Sequence, residues 1–216
     1  MFRQFSDSQI ILALLEATRW TVLLSLIAFT GGAVLAAVLT FLRVSPWPWL
    51  GAAIGFLAGL IQSTPLLMLL FLPFFGLPLA GIEISALGAA ALGLILFAAA
   101  FLSEIWTSAV RSVPAGQWEA AKACGLRFGP ILRLVIAPQA LRLALPSTVG
   151  FGVQVIKGTA LASIIGFIDV TRTGSTLNNV AFRPFFIFSI VAVIYFCLCF
   201  PLSWASRRLE ARLGKS

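Results

Sequence analysis

Two ionisable side chains, Glu104 and Lys157, stand inside long apolar runs of this sequence. A charge held in hydrocarbon is costly, so such a residue faces an opposite charge, a wet cavity or a passing solute. The available chemistry is therefore ion pairing, substrate contact or gating. Routes through covalent chemistry lack their residues. The chain has no His, which removes Ser-His nucleophiles, HExxH zinc sites and histidine proton shuttles. No GxxxxGK[ST] phosphate loop occurs, so no cofactor is expected on this chain and any ATP and Mg must be bound by another one. Cys124, Cys197 and Cys199 show no metal-ligand spacing and read as ordinary thiols.

The elements that position these residues are set by composition. Of 216 residues, 60% are hydrophobic and 10% charged, the balance of an all-α integral membrane protein in one domain, 1–216. A crossing helix needs about twenty apolar residues, and five such runs are expected, at about 20–42, 49–72, 84–110, 140–167 and 184–206. The fourth contains Lys157. Between Leu143 and Phe167 its eleven Leu, Ile, Val and Phe residues contribute roughly −3 to −7 kcal/mol of insertion free energy against about +3 for the Lys. It inserts, by a narrow margin.

Fifteen basic residues face seven acidic ones. In an apolar chain this excess sets topology near anionic lipid, and no nucleic-acid partner is implied. With the N-terminus outside, Arg43, Arg111, Lys122, Arg127, Arg133, Arg142, Arg207, Arg208, Arg212 and Lys215 lie on the cytoplasmic side, and Arg3, Arg19, Arg172 and Arg183 outside. Ten against four predicts the C-terminus in the cytoplasm.

That orientation makes 111–139 the largest cytoplasmic segment, and within it stands the polar stretch "QWEAAKACGLRFG". Pro114 suits a helix start, "GQWEAAKAC" is a short run of good helix formers, and Gly125 stands where a left-handed cap would end it. Two turns of helix are unstable alone in water. Lying on the membrane is one fate for this one; docking into a partner through the small surface of Ala120 and Ala121, with Glu119 complementing the dipole, is the other. A second short apolar segment, "PILRLVIAP", ends at Pro138.

"EAAKACG", nine residues, then "VIAP" resembles the EAA loop of permease subunits of bacterial ABC importers, with Glu119, Ala120, Ala121, Gly125, Val135 and Pro138 at the matching positions. "KGTALASIIG", "PQALRLALP" and "STPLLMLLFLPFFGLP" narrow the resemblance to the polar amino acid (histidine/glutamine-type) branch, over residues 16–180. It implies the type I importer permease fold of five spans, with a cytoplasmic coupling helix between the third and fourth. It also implies partners: a dimer of ATPase subunits, a second permease subunit that is either this chain or a paralogue, and an extracytoplasmic solute-binding protein. The setting is the bacterial cytoplasmic (inner) membrane. The chain would be a transport subunit rather than an enzyme, moving a polar amino acid or related small solute by alternating access. The alternative is a gradient-driven carrier or channel, which would need carboxylates or histidines in several spans; only Glu104 qualifies.

The chain departs from the branch pattern at Gln62, Thr107, Ala137 and Gly158, where an Arg, an Arg, a Leu and an Asp are usual. With the Arg and Asp gone together, Glu104 and Lys157 are expected to pair across the third and fourth helices, provided that Pro146 breaks the fourth. Otherwise Lys157 contacts a substrate carboxylate, gates, or snorkels to the outer interface. Thr159 and Ser163, at i and i+4, share a face of a regular helix and either line a polar path or pack against a neighbour. Gly51, Gly55 and Gly59 form a stripe for close helix approach. Thr64 and Pro65 break the second span beside any cavity.

Overall fold

The computed structural model describes residues 6–213, and Arg3 and Lys215 of the charge count lie outside them. Nine α-helices run in sequence through the described residues. Four helical segments are long and apolar enough to cross a membrane, and a fifth span arises if one bent pair is counted as a unit.

Helix α1, Asp7–Arg43, starts well before the expected run. A Ser6–Gln9 capping box opens it, and its 37 residues span about 55 Å. Glu16 and Arg19, which end the uncharged run in the sequence, pair with each other on an exposed face and so do not stop the helix. The extension is held by Ile10, Leu14 and Ala17, which pack on Val170, Ile187 and Val191. An ion pair from Arg183 to Asp7 closes its end.

The second apolar run is two helices, α2 (Pro48–Ser63) and α3 (Leu66–Leu79), bent by 97°. Thr64 is extended, with φ −91° and ψ 130°, as a residue before proline must be, and Pro65 has no N–H to continue the ladder. The Thr64 hydroxyl donates to the Leu60 carbonyl at 2.8 Å, and the Gln62 amide donates to the Ala100 carbonyl of the next helix at 3.1 Å. The break is thus tied into the bundle.

That next helix is α4, Ala86–Arg111, at the centre of the fold. Its alanines lie against α1, and Gly32 meets Ala98 so closely that no Cβ would fit there. The main core joins Leu24, Ala28, Leu70, Leu94, Leu102 and Phe151.

After the short α5, Ala115–Ala123, the chain does not form a separate loop segment ending at Pro138. The turn α6, Phe128–Pro130, continues through a π-helical stretch, Ile131–Ile136, into α7, Ala137–Thr159, and a 3₁₀ turn, Ala160–Ser163. The whole of 128–163 is one spanning helix. Pro138 falls at the junction of the π-helical stretch with α7, where its missing N–H interrupts the ladder, and the Gln139 side chain donates to the Val135 carbonyl there at 2.7 Å. Pro146 lies inside it without ending it, and the Ser206 hydroxyl donates to its carbonyl at 2.8 Å. Helices α8, Val170–Ala181, and α9, Pro184–Leu213, complete the bundle.

Candidate coupling surface and polar groove

The short α5 helix is built from both ends. Pro114 caps its start, and its C-terminus closes in a Schellman turn: the Gly125 N–H donates to the Lys122 carbonyl at 2.9 Å and the Leu126 N–H to the Ala121 carbonyl at 3.2 Å. The turn needs a left-handed residue, and Gly125 supplies it with φ +75°. No atom of this chain lies within 4 Å of where a Gly125 Cβ would be.

Ala120 and Ala121 do not form one small surface. Consecutive helical residues diverge by about 100°, so Ala121 is buried with Val113, Ile131 and Ile136, whereas Ala120, Glu119 and Gly125 are exposed. The outward face is therefore small, with Glu119 and the exposed Lys122 of opposite sign upon it, and the inward alanine is a packing residue.

Two further contacts, which sequence spacing did not single out, seat the helix. The Trp118 ring stacks on Phe128 (centroids 6.3 Å apart, 22° between planes), and Phe128 meets Phe41 of α1 at 6.4 Å. Gln139, in the first turns of α7, donates to the Gln117 side chain at 3.3 Å. These contacts connect α5 to α1 through Phe128 and to the long α6–α7 helix through Phe128 and Gln139. Replacing Trp118 with Ala removes an aromatic pair worth about 1 kcal/mol beyond its buried area. The expected result is tryptic cleavage at Lys122 and Arg127 about tenfold faster than in the parent protein; unchanged cleavage would show that the ring does not hold the helix.

Glu104 is partnered, but not by Lys157. The Arg43 guanidinium of α1 donates to its carboxylate at 2.6 Å. Arg43 is thus not a free charge at the membrane surface: its side chain is 7% exposed and that of Glu104 46%. The glycine stripe of α2 makes the room. A Cβ on Gly51 would lie 2.9 Å from the Arg43 carbonyl, and one on Gly55 3.5 Å from its guanidinium, while Gly59 faces nothing. Lys157 is exposed and forms no ion pair among the described residues. Because α7 runs unbroken through Pro146, Lys157 lies about 30 Å above Ala137, whereas Glu104 lies about 10 Å from the end of α4. Lys157 instead occupies the last turn of α7, where a cation meets the negative end of the helix dipole.

Glu104 and Ser108 on α4 and Ser112 at its C-cap recur every four residues on one face, and with Ser147 of α7 they line a groove of about 400 Å³. The groove descends from the Arg43–Glu104 pair toward the end of the bundle that carries α5. The i+4 spacing from Glu104 carries a signal for Ser108 and Ser112, whereas Ser147, on α7, has no such signal. Thr64, Lys157, Thr159 and Ser163 do not line it. Thr159 and Ser163 share no face, because the chain tightens from α to 3₁₀ at Ala160 and four residues then turn through about 480° rather than 400°. Each hydroxyl donates to a carbonyl three residues back, at 2.8 and 2.6 Å.

Where the usual pattern carries charge, this chain packs. Thr107 is fully buried, and a Cβ on Gly158 would lie 2.9 Å from Leu66 and 3.2 Å from Leu94. At the opposite end of the bundle Asp169, fully buried, caps α8 by accepting from the Arg172 N–H at 2.8 Å and accepts from the Tyr195 hydroxyl at 3.1 Å. Burial pushes its carboxyl above the usual range.

Residues 28–215 match the family model described as "Binding-protein-dependent transport system inner membrane component". The chain belongs to that family. The permease is 33% identical over 203 residues to the glutamine transport system permease protein GlnP of Escherichia coli (strain K12), covering 93% of this chain and 92% of that protein. It is 34% identical over 215 residues to the glutamate transport system permease protein GluC of Corynebacterium efficiens, covering 94% of each. Its fold overlays on a chain from the crystal structure of an amino acid ABC transporter with histidines at a TM-score of 0.85, with 29% identity over 93% of this chain and 94% of that one. The permease has the type I ABC importer fold, is a multi-pass membrane component of such a transporter and is not itself catalytic.

Proposed function

We propose that this permease moves a polar amino acid or a related small solute inward by alternating access, driven by a separate ATPase dimer that binds the ATP and Mg. The observation carrying this is α5: a capped helix, seated by Ala121 and Trp118, that turns an exposed face of Glu119, Ala120 and Gly125 outward. Such a face suits a cleft on a partner. Pro138, on the exposed surface just inside the base of the fourth span, extends the same contact. The positive-inside balance then puts α5 in the cytoplasm, the N-terminus outside and the C-terminus inside.

The groove of Glu104, Ser108, Ser112 and Ser147 is the inner half of the solute path, bordered above by the break at Thr64. Lys157 supplies a second charge nearer the outer face, with Thr159 and Ser163 as packing hydroxyls beside it. A second permease subunit, identical or paralogous, closes the path from the other side, and an extracytoplasmic solute-binding protein delivers the solute.

Reconstitution in liposomes tests this. With its cognate ATPase and binding protein, uptake of a polar amino acid should require internal ATP and survive collapse of ion gradients. Uptake that persists without ATP and follows an imposed ion gradient would establish a secondary carrier instead.

A further inference from the structure

A second concavity lies on another side of the α5 end of the bundle. Between the last turns of α1, α4 and the start of α7 runs an apolar groove of about 500 Å³. It continues into one of about 680 Å³ through four shared residues, Phe41, Leu132, Arg133 and Ala137. The two ends differ in chemistry. Ala140, Leu141 and Ala144 line the deep end, about 10 Å along α7 from Ala137, which fits within one leaflet of a hydrocarbon layer about 30 Å thick. Arg133 stands at the mouth, exposed, on the π-helical stretch, and has no acid partner or side-chain hydrogen bond among the described residues. No Asp or Glu lines either part of the groove. Phe41, Leu134 and Leu141 along its rim are more than half exposed.

We propose that this groove holds an acyl chain of an anionic phospholipid whose phosphate sits on Arg133. A cation at the mouth of an apolar cleft between membrane helices is a lipid-headgroup site. The absence of any carboxylate leaves nothing to receive the ammonium of a zwitterionic headgroup, so the charge balance favours phosphatidylglycerol-type lipids. On the orientation proposed above the bound lipid belongs to the cytoplasmic leaflet. It would wedge between α1 and the helix that carries α5, and so tie the set of the coupling surface to lipid composition.

Native mass spectrometry of the purified permease with equal amounts of phosphatidylglycerol and phosphatidylethanolamine tests this without reference to transport or to the side facing the cytoplasm, so a failed importer reading would leave the result interpretable. The parent protein should retain phosphatidylglycerol preferentially. Arg133→Gln should lower that preference about fivefold, the effect of one basic residue near an anionic surface, and Arg133→Lys should restore most of it. Ala37→Trp, an exposed position lining the deep groove, should reduce retention of both lipids by filling the cleft. Arg111→Gln, an exposed cation in the last turn of α4 outside the groove, should change nothing. Equal loss in Arg133→Gln and Arg111→Gln would reduce the effect to general surface attraction and overturn the site. So would retention indifferent to Ala37→Trp, or cross-links that place a second permease copy in the groove.

Discussion

Glu104→Ala will lower the stability of the permease by up to about 3 kcal/mol, the low end of the range for a fully buried ion pair, because Arg43 is enclosed while Glu104 is half-exposed. Arg43→Met will cost less than half as much, although both changes delete the same salt bridge. The asymmetry follows from exposure. Arg43 is enclosed by α1, α4 and the Gly51–Gly55 cradle, and its Nε already lacks a hydrogen-bond partner. Without Glu104 its charge has nowhere to go. Glu104 opens onto the Ser108–Ser112 groove, so without Arg43 its carboxylate can be met by water or by a cationic solute. A Met in the cradle keeps most of the packing volume. Thermal melting in detergent, followed by Trp fluorescence, reads the order, and the double variant Arg43→Met/Glu104→Ala should melt closer to the parent than Glu104→Ala does. Equal effects of the two single changes would mean that the pair is solvated throughout and that the glycine cradle does not bury it.

The bundle was legible because runs of about twenty apolar residues have few alternatives to a spanning helix. The short helix α5 was legible because Pro114, Gly125 and the alanines between them are local signals. Pairing across helices was not. Arg43 ends an apolar run and so looks like a topology signal, and only the α2 glycines, which the sequence offers merely as a packing stripe, reveal that it turns inward. Pro146 misled in the opposite direction. A proline interrupts one hydrogen bond, but a packed neighbour such as α9 can hold the helix through it. Trp118 and Phe128 stood unnoticed because their contacts reach other helices, where spacing carries no information; Asp169 carried a local N-cap signal three residues before Arg172, but its bond to Tyr195 of α9 did not show in the sequence.

Gly125→Asp separates folding from coupling. In this chain the position has open space for a Cβ, and its φ of +75° is one that Asp adopts more readily than most residues do. The fold should therefore lose no more than about 1 kcal/mol, and membrane insertion and melting temperature should stay close to those of the parent. Transport and transport-coupled ATP hydrolysis should nonetheless fall at least tenfold, because the new carboxylate stands at the exposed C-terminal end of α5, in the surface proposed to enter the ATPase. Gly125→Asn provides the control for shape without charge and should retain more activity than the Asp variant if repulsion contributes. Gly125→Val, which cannot adopt the left-handed turn without strain, should lose stability as well as transport. If the Asp variant transports normally while the Val variant does not, the glycine serves only the Schellman turn, and the contact with the ATPase must lie elsewhere on α5.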